Sequence, residues 1–337
     1  MAEPGATPDD LPIRNLRRLC EELRADFEIA SGAKRGGRNE DGYRLLSTAE
    51  YRAGALSGVA VRRFGRFGNN LRQIVHATFF AEATGARRVH VDGVNVGRLA
   101  RAETFRGIEF VPEPPAAGAD AVLVGRFFDT DAFRRLFSKL DAPRRWQIVS
   151  GYVGPMLSRR WGDVPPVGDD VLHIHVRAGD VFGKRVHRAY VQPPMAFYRA
   201  VLRHFSRVRR SPRVVLVYED RGNPCVDALC ALLARDRLDF ALHHADFDGA
   251  VLEMLSATNL AVGTGTFAPM IALVAPRLRR LYAFRQATEH TTFRAKGVEV
   301  LVARDVGGGY IRQGEWQNTE EQRARMLDYP DAHVQIA

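Results

Sequence analysis

The chain reads as an α/β protein built from two doubly wound, mainly parallel sheets. Three observations carry that reading. Short aliphatic runs alternate with amphipathic helical stretches from about residue 58 onward. A length of 337 residues suits two domains better than one. The stretch "WGDVPPVGDD" (161–170) has the Pro, Gly and Asp of a linker, and the alternation restarts after it.

The elements follow in order. Residues 1–57 read as an N-terminal appendage in which "LRRLCEELRADFEIA" is helical and "SGAKRGGRNEDG" is a charged break. A first domain over 58–165 takes "GVAVRRFG" as a strand and "NNLRQIVHATFFAEATG" as a helix stopped by Gly85. In it "RRVHVDG", "IEFVPEP" and "DAVLVGRFF" are further strands, and "DAFRRLFSKL" is a helix. A second domain over 166–306 alternates more cleanly. Its strands are "VLHIHVRAGD", "RVVLVYED", "LDFALHH", "NLAVGTG" and "RRLYAF". Between them lie the helices "PPMAFYRAVLRHF", "PCVDALCALLAR", "GAVLEMLSAT" and "TFAPMIALVA". Residues 307–337 form a tail whose "GEWQNTEEQRARMLDYP" supplies a helix that packs back on the body.

Composition narrows the function classes. With 49 basic against 39 acidic residues the net charge is +10, which favours anionic partners or reflects a chain that writes Arg for Lys. The basic residues are scattered and do not interleave with aromatics into a nucleic-acid module, so no nucleic-acid partner is expected. Cys20, Cys225 and Cys230 make neither a metal nor a disulfide framework, and fit a reducing compartment. No apolar run reaches the roughly 18 residues of a membrane helix, and "MAEPGATPDD" is unlike a signal peptide. A cytoplasmic location is expected, and peripheral contact with the inner face of the membrane is compatible with it.

"VLHIHVRAGD" holds the sharpest signal. Strand side chains alternate, so Leu172, Ile174, Val176 and Ala178 point one way and Val171, His173, His175 and Arg177 the other. A central parallel strand is normally apolar on both faces, so one face is given over to polar chemistry near its carboxyl end. Arg177 can fork onto a phosphate, and His175 can donate to a base or phosphate or act as an acid. Gly179 lets the chain turn, and Asp180 sits at the tip. An edge strand with a solvated face, or a His-x-His metal site, are the competing accounts.

Four further stretches bear on the site. "GRFGNN" joins a strand to a helix, where Gly65 and Gly68 permit tight backbone, Asn69 can cap the helix, and Asn70 follows. "GTGTFAP" has the same form: Thr264, Gly265 and Thr266 can present hydroxyls and amides to a phosphate before Phe267, or Thr266 simply caps the helix. "VYED" ends a strand with Glu219 and Asp220, carboxylates suited to a ribose or a base edge, or to a solvated loop. "GKRVHRAY" brings Lys184, Arg185, His187 and Arg188 beside the phosphate pocket, with His187 a candidate base. The Asp-x-Asp of "FFDTDAF", Asp129 and Asp131, is a spacing used for divalent cations, but Thr130 or Asp129 capping the next helix is the better account.

"HVRAGD" resembles the His-x-Arg-x-x-Asp signature of transferases that use GDP-fucose, and the whole stretch most resembles the bacterial alpha-1,2-fucosyltransferase family. "GRFGNN" resembles that family's Gly-rich opening, "GRFFDTDAFRRLF" its segment of aromatics and a polar turn, and "NLAVGTGTFAPMIALV" its closing motif. The four motifs keep their order over residues 58 to 285. The chain departs from the pattern in having Ala178 where a second arginine is common, Arg185 where some relatives carry a glutamate base, and no tryptophans in the closing motif. The resemblance implies a GT-B-like fold, two Rossmann-like domains facing a cleft, and a metal-independent, inverting fucosyltransferase of polysaccharide biosynthesis. It implies a GDP-fucose donor, no cofactor, and a glycan or lipid-linked oligosaccharide acceptor. It assigns Arg177 to the donor phosphates, His175 to the guanosine, Thr264–Phe267 to the phosphate side and Asp220 to the base or ribose. Gly68 and Asn69 would close the cleft from the first domain. Another nucleotide-sugar transferase of the same fold and a basic polyanion-binding protein are the alternatives.

Overall fold

The computed structural model describes residues 27–31, 44–45, 56–115, 121–127 and 141–337, the last range without 163, 166, 210, 245 and 286–289. The chain divides into two units, Met1–Gly162 and Asp163–Ala337. The expected helix at 131–140, the Asp129–Asp131 pair and most of residues 1–57 lie outside the described residues.

In the first unit the elements are β1 (Phe27–Ser31), β2 (Arg44–Leu45), β3 (Leu56–Val61), α1 (Phe67–Thr84), β4 (Arg88–His90), β5 (Glu103–Phe105), β6 (Ile108–Val111) and β7 (Ala121–Gly125). Two short helices, α2 (Ala142–Ile148) and α3 (Gly154–Trp161), follow, joined by a π-helical turn. The sheet order is β2-β1-β7-β3-β4-β6-β5. Its four central strands run parallel, and β1 and β5 pair antiparallel at the flanks. One expectation is corrected here. "FEIAS" is a strand, because Phe27–Ala30 pair with Val122–Gly125 and extend the sheet, so these residues are not part of an appended helix.

Helix α1 is buried on every side from Asn70 to Ala81. Leu71, Ile74, Val75, Phe79 and Phe80 supply its apolar surface. Two of the polar residues among them have partners: Thr78 Oγ1 donates to the Ile74 carbonyl at 2.7 Å, and His76 Nδ1 lies 3.1 Å from the Phe127 carbonyl. Gly85 ends the helix in the left-handed region at φ 73°.

The second unit contains β8 (Val171–Val176), α4 (Met195–Val208), β9 (Arg213–Tyr218), α5 (Cys225–Arg235), β10 (Asp239–His244), α6 (Phe247–Ser256), β11 (Asn259–Val262) and α7 (Phe267–Val274). It continues with β12 (Arg280–Phe284), α8 (His290–Ala295), β13 (Glu299–Asp305), α9 (Glu320–Asp328) and β14 (Val334–Ile336). The sheet order is β10-β9-β8-β11-β12-β13-β14, parallel except for β14. Its six parallel strands thus run third-second-first-fourth-fifth-sixth in chain order, the order of doubly wound nucleotide-binding sheets. The chain steps from β8 outward to β10, then crosses back to β11 on the other side of β8. With right-handed crossovers this puts α4 and α5 on one face and α6 and α7 on the other.

The tail completes the core under α4. Tyr310, Ile311, Trp316, Met326 and Tyr329 pack with Leu172, Ile174 and Val176. Trp316 is fully buried, donates Nε1–H to the Val181 carbonyl at 2.8 Å, and meets Phe182 edge to face at 5.3 Å. The tail helix starts later than expected, at Glu320, where Thr319 accepts the Gln322 amide as an N-cap. Strands β13 and β14 were not expected from the sequence; β14 joins only by antiparallel pairing with β13.

Among the described residues no helix is long and apolar enough to cross a membrane. Trp316→Ala should destabilise the second unit by about 3–5 kcal/mol, the usual cost of emptying a large buried aromatic site. The midpoint of denaturant unfolding measures it, and an unchanged midpoint would show that the tail does not contribute to this core.

Candidate functional site

Strand β8 lies between β9 and β11, and all six of its residues are buried. The solvated edge strand is therefore excluded. Its two faces differ as the alternation requires. Leu172, Ile174 and Val176 join the core under α4, while Val171 packs with Val215 and Val217 against Ala250 of α6. His173, on that second face, is fully buried and its Nε2–H reaches Glu253 Oε1 of α6 at 2.9 Å. That hydrogen bond outweighs burial and holds the Glu253 carboxyl below its ordinary range. His173 is a core histidine with a partner.

His175 lies one pleat further on, 7% exposed, with its ring 5.7 Å from Phe267. Burial, aided by the Arg177 charge, lowers its pKa to about 3. The imidazole is neutral at any physiological pH, a donor and acceptor rather than a cation.

Arg177 follows at the carboxyl end of the strand. Its side chain is 15% exposed and its Nη2 donates to Asp180 Oδ1 at 2.9 Å. The guanidinium lies 5.3 Å over the Tyr190 ring, and its buried Nε has no acceptor. A Cβ built on Gly265 would stand 3.5 Å from Arg177 Cδ and Nη1, so the loop before α7 runs alongside the guanidinium. β8 and β11 are the neighbours at which the order of strands reverses, and the crevice outside their carboxyl ends is where such sheets bind ligands. Arg177 flanks it from one strand and Gly263–Phe267 from the other.

Several backbone clamps hold the arginine. Asn223 Nδ2 donates to the Arg177 carbonyl at 2.9 Å, and Asn223 Oδ1 accepts the Cys225 amide at the start of α5. Gly179 adopts φ 63°, a left-handed conformation that favours glycine, and a Cβ there would displace the Glu219 carboxylate. Asp220 accepts the Gly179 amide through Oδ2 at 3.0 Å and the Gly222 amide through Oδ1 at 2.6 Å. Asp220 therefore organises the turn, and of this pair Glu219 is the exposed carboxylate. Gln192, fully buried, donates Nε2–H to the carbonyls of Tyr190 and Thr264, tying the loop after β8 to the loop after β11.

The remaining candidates separate. Thr264, Gly265, Thr266 and Phe267 line the crevice loop, with Thr266 at the N-cap of α7 but without a side-chain capping bond. Simple capping by the Thr266 hydroxyl is not what this turn does. His187 is exposed, packs 4.7 Å from the Tyr190 ring, and accepts the Ala189 amide at Nδ1. Lys184, Arg185 and Arg188 are exposed around it. Gly65, Gly68, Asn69 and Asn70 belong to the first unit, at the turn from β3 into α1. Arg66, not Asn69, is the N-cap there, and Asn70 Oδ1 accepts the Phe64 amide at 3.1 Å.

Sequence reasoning missed Gln192, Asn223 and Phe247. Phe247 opens α6, is exposed, and lies 5.8 Å from Phe267, making an aromatic pair with His175 behind it. Lone polar residues beside prolines, such as Gln192 and Asn223, carry no motif.

The neutral His175 makes stability depend on pH. Its folded pKa lies below the unfolded value of 6.5, so its stabilising contribution is complete above pH 6.5 and is lost as pH falls toward 3. Between pH 6.5 and 5 the wild type should lose about 2 kcal/mol relative to His175→Gln. Urea midpoints of both proteins at the two pH values measure this, and parallel shifts would refute a neutral buried ring.

No family model matches the chain, and no curated protein matches it. Among solved structures it overlaps a mutant of FUT1 from Arabidopsis thaliana in complex with GDP. The identity is 8%, the overlap covers 96% of this chain and 81% of that one, and the TM-score is 0.36. Likeness at this level does not transfer an activity.

Proposed function

We propose that the protein is a glycosyltransferase of GT-B type that takes its sugar from a nucleotide diphosphate donor, with GDP-fucose the favoured donor. The observation that carries this reading is Arg177. It is a mostly buried arginine with an unpaired Nε, held against a glycine loop at the switch point of a doubly wound sheet. A buried donor of this kind calls for an oxyanion, and a bond to a charged group contributes roughly 1.5–3 kcal/mol. The amides that open α7 add their dipole on the other side of the crevice. His175 and the Phe267–Phe247 pair offer hydrogen-bonding and stacking surfaces of the kind a purine takes. The preference for guanine and fucose rests on the resemblance of "HVRAGD" to the family signature.

In this reading the glycosidic C–O bond to the diphosphate breaks as the acceptor oxygen approaches the opposite face of the sugar, inverting the anomeric centre. Arg177 and the α7 amides stabilise the charge that develops on the leaving diphosphate, an electrostatic role that does not call for a divalent cation. Asp180 orients Arg177 through their ion pair. The acceptor proton passes to His187 or leaves late to water, because Asp180 is paired with that arginine. The acceptor is a glycan hydroxyl.

Isothermal titration should show GDP and GDP-fucose binding and no binding of a generic oligonucleotide. Arg177→Ala should weaken GDP about 10- to 100-fold; unchanged affinity would sink the phosphate role. A screen of GDP- and UDP-sugars for nucleotide release should single out GDP-fucose and give the same rate with EDTA present. Release from UDP-sugars alone, or loss of release with EDTA and recovery with manganese, would overturn the donor or the metal-independent reading respectively.

A further inference from the structure

Strand β9 runs into two carboxylates, and only one of them is committed to the fold. Asp220 accepts the Gly179 and Gly222 amides, one with each oxygen. Glu219 is exposed, and its carboxylate has no hydrogen bond or ion pair among the described residues. The transfer reading gives it no role.

Register fixes where that carboxylate lies. β8 and β9 pair in parallel, with His175 opposite Val217 and Val176 opposite Tyr218. Arg177 and Glu219 come next, at the ends of neighbouring strands about 5 Å apart. Val215 and Val217 pack with Val171 against Ala250 of α6. Alternation therefore turns Glu219 to the side of the sheet that carries His173, His175 and Arg177. Gly179 leaves it room: a Cβ there would stand 2.7 Å from Glu219 Cδ, so the carboxylate lies over the turn that follows Arg177. The end of β9 is itself fastened to the end of β10. The Glu219 carbonyl accepts from His244 Nε2 at 3.0 Å, and the His244 ring stacks on Tyr218 at 5.3 Å.

An ionised carboxylate accepts hydrogen bonds and donates none. It repels the oxygens of a diphosphate and calls for donor groups beside them. The parts of a nucleotide then follow the order of the strands. Arg177 and the Gly263–Phe267 loop flank the crevice between β8 and β11, the place for the diphosphate. Glu219 stands one strand over, at β9. One strand further, β10 leads into Phe247, 40% exposed and open to a base. Between diphosphate and base a nucleotide carries its ribose, whose two adjacent hydroxyls are donors that match the two oxygens of one carboxylate. Dinucleotide-binding sheets of this strand order also use an acidic side chain for the ribose hydroxyl.

We propose that Glu219 holds the ribose of the donor through its two adjacent hydroxyls, so that the crevice selects ribonucleotides against 2′-deoxynucleotides. This assignment rests on the reading that the crevice takes a nucleotide diphosphate.

The test is isothermal titration of the full chain and of Glu219→Ala with GDP, 2′-deoxy-GDP and inorganic pyrophosphate. The wild type should bind GDP about tenfold or more tightly than 2′-deoxy-GDP, the effect of one hydrogen bond to a charged group. Glu219→Ala should bind the two nucleotides alike, and should bind pyrophosphate at least as tightly as the wild type does. Equal binding of GDP and 2′-deoxy-GDP by the wild type would overturn the assignment. So would an undiminished preference in Glu219→Ala, which marks a contact to the base or none, and so would a loss of pyrophosphate binding in that variant, which marks damage to the phosphate site. The same titrations separate the two claims. GDP binding without the preference removes the ribose assignment alone. Absence of GDP binding by the wild type removes the nucleotide reading and the assignment with it.

Discussion

A parallel strand with a neighbour on each side and a helix layer on each face offers no solvent to a polar side chain. Three polar residues in succession on one face of β8 must each find a partner or lose their charge. The three solve this differently according to depth. His173, deepest, meets the Glu253 carboxylate of α6. His175, nearer the end, stays neutral beside Phe267. Arg177, past the last ladder bond, keeps its charge by pairing with Asp180 and lying over Tyr190. The gradient from hydrogen-bonded histidine to neutral ring to half-paired cation is what makes the carboxyl end of this strand a place for an anion.

The loops around that end are braced more than their lengths suggest. Asn223 holds the Arg177 carbonyl, Asp220 holds the Gly179 amide, and Gln192 bridges to Thr264. The tail then locks the outer layer: Gly314 and Trp316 donate their amides to the Arg188 carbonyl, and Arg323 Nη2 donates to the Gly222 carbonyl at 2.9 Å. The basic segment after β8 is thereby fastened at its base while its side chains stay exposed. The crevice is set into a polar scaffold along the carboxyl edge.

Much of the second unit could be read from residue order, because parallel strands buried on both faces and amphipathic helices leave strong local patterns. "VLHIHVRAGD", "RVVLVYED" and "NLAVGTG" all became strands, and the residues after them converge at one edge. The first unit was less readable. "FEIAS" has helix-compatible neighbours, and only pairing with β7 makes it a strand. The same holds for β5, β13 and β14, whose pairing partners rather than their own composition decide them. Asp220 was read as a ligand for ribose because carboxylates at strand ends often are, yet its oxygens accept two backbone amides of the fold.

The linear order of residues was enough to establish the alternation of strands and helices, the polar face of β8 and the glycine turns beside it. These depend on side-chain period and on local backbone sterics, which act over a few neighbours. The reversal of strand order between β8 and β11, the contact of Arg177 with the Gly265 loop and the clamps by Gln192 and Asn223 depend on tertiary structure. Each joins residues tens of positions apart whose hydrogen bonds and packing exist only once both partners are in place, and no local pattern encodes such a meeting.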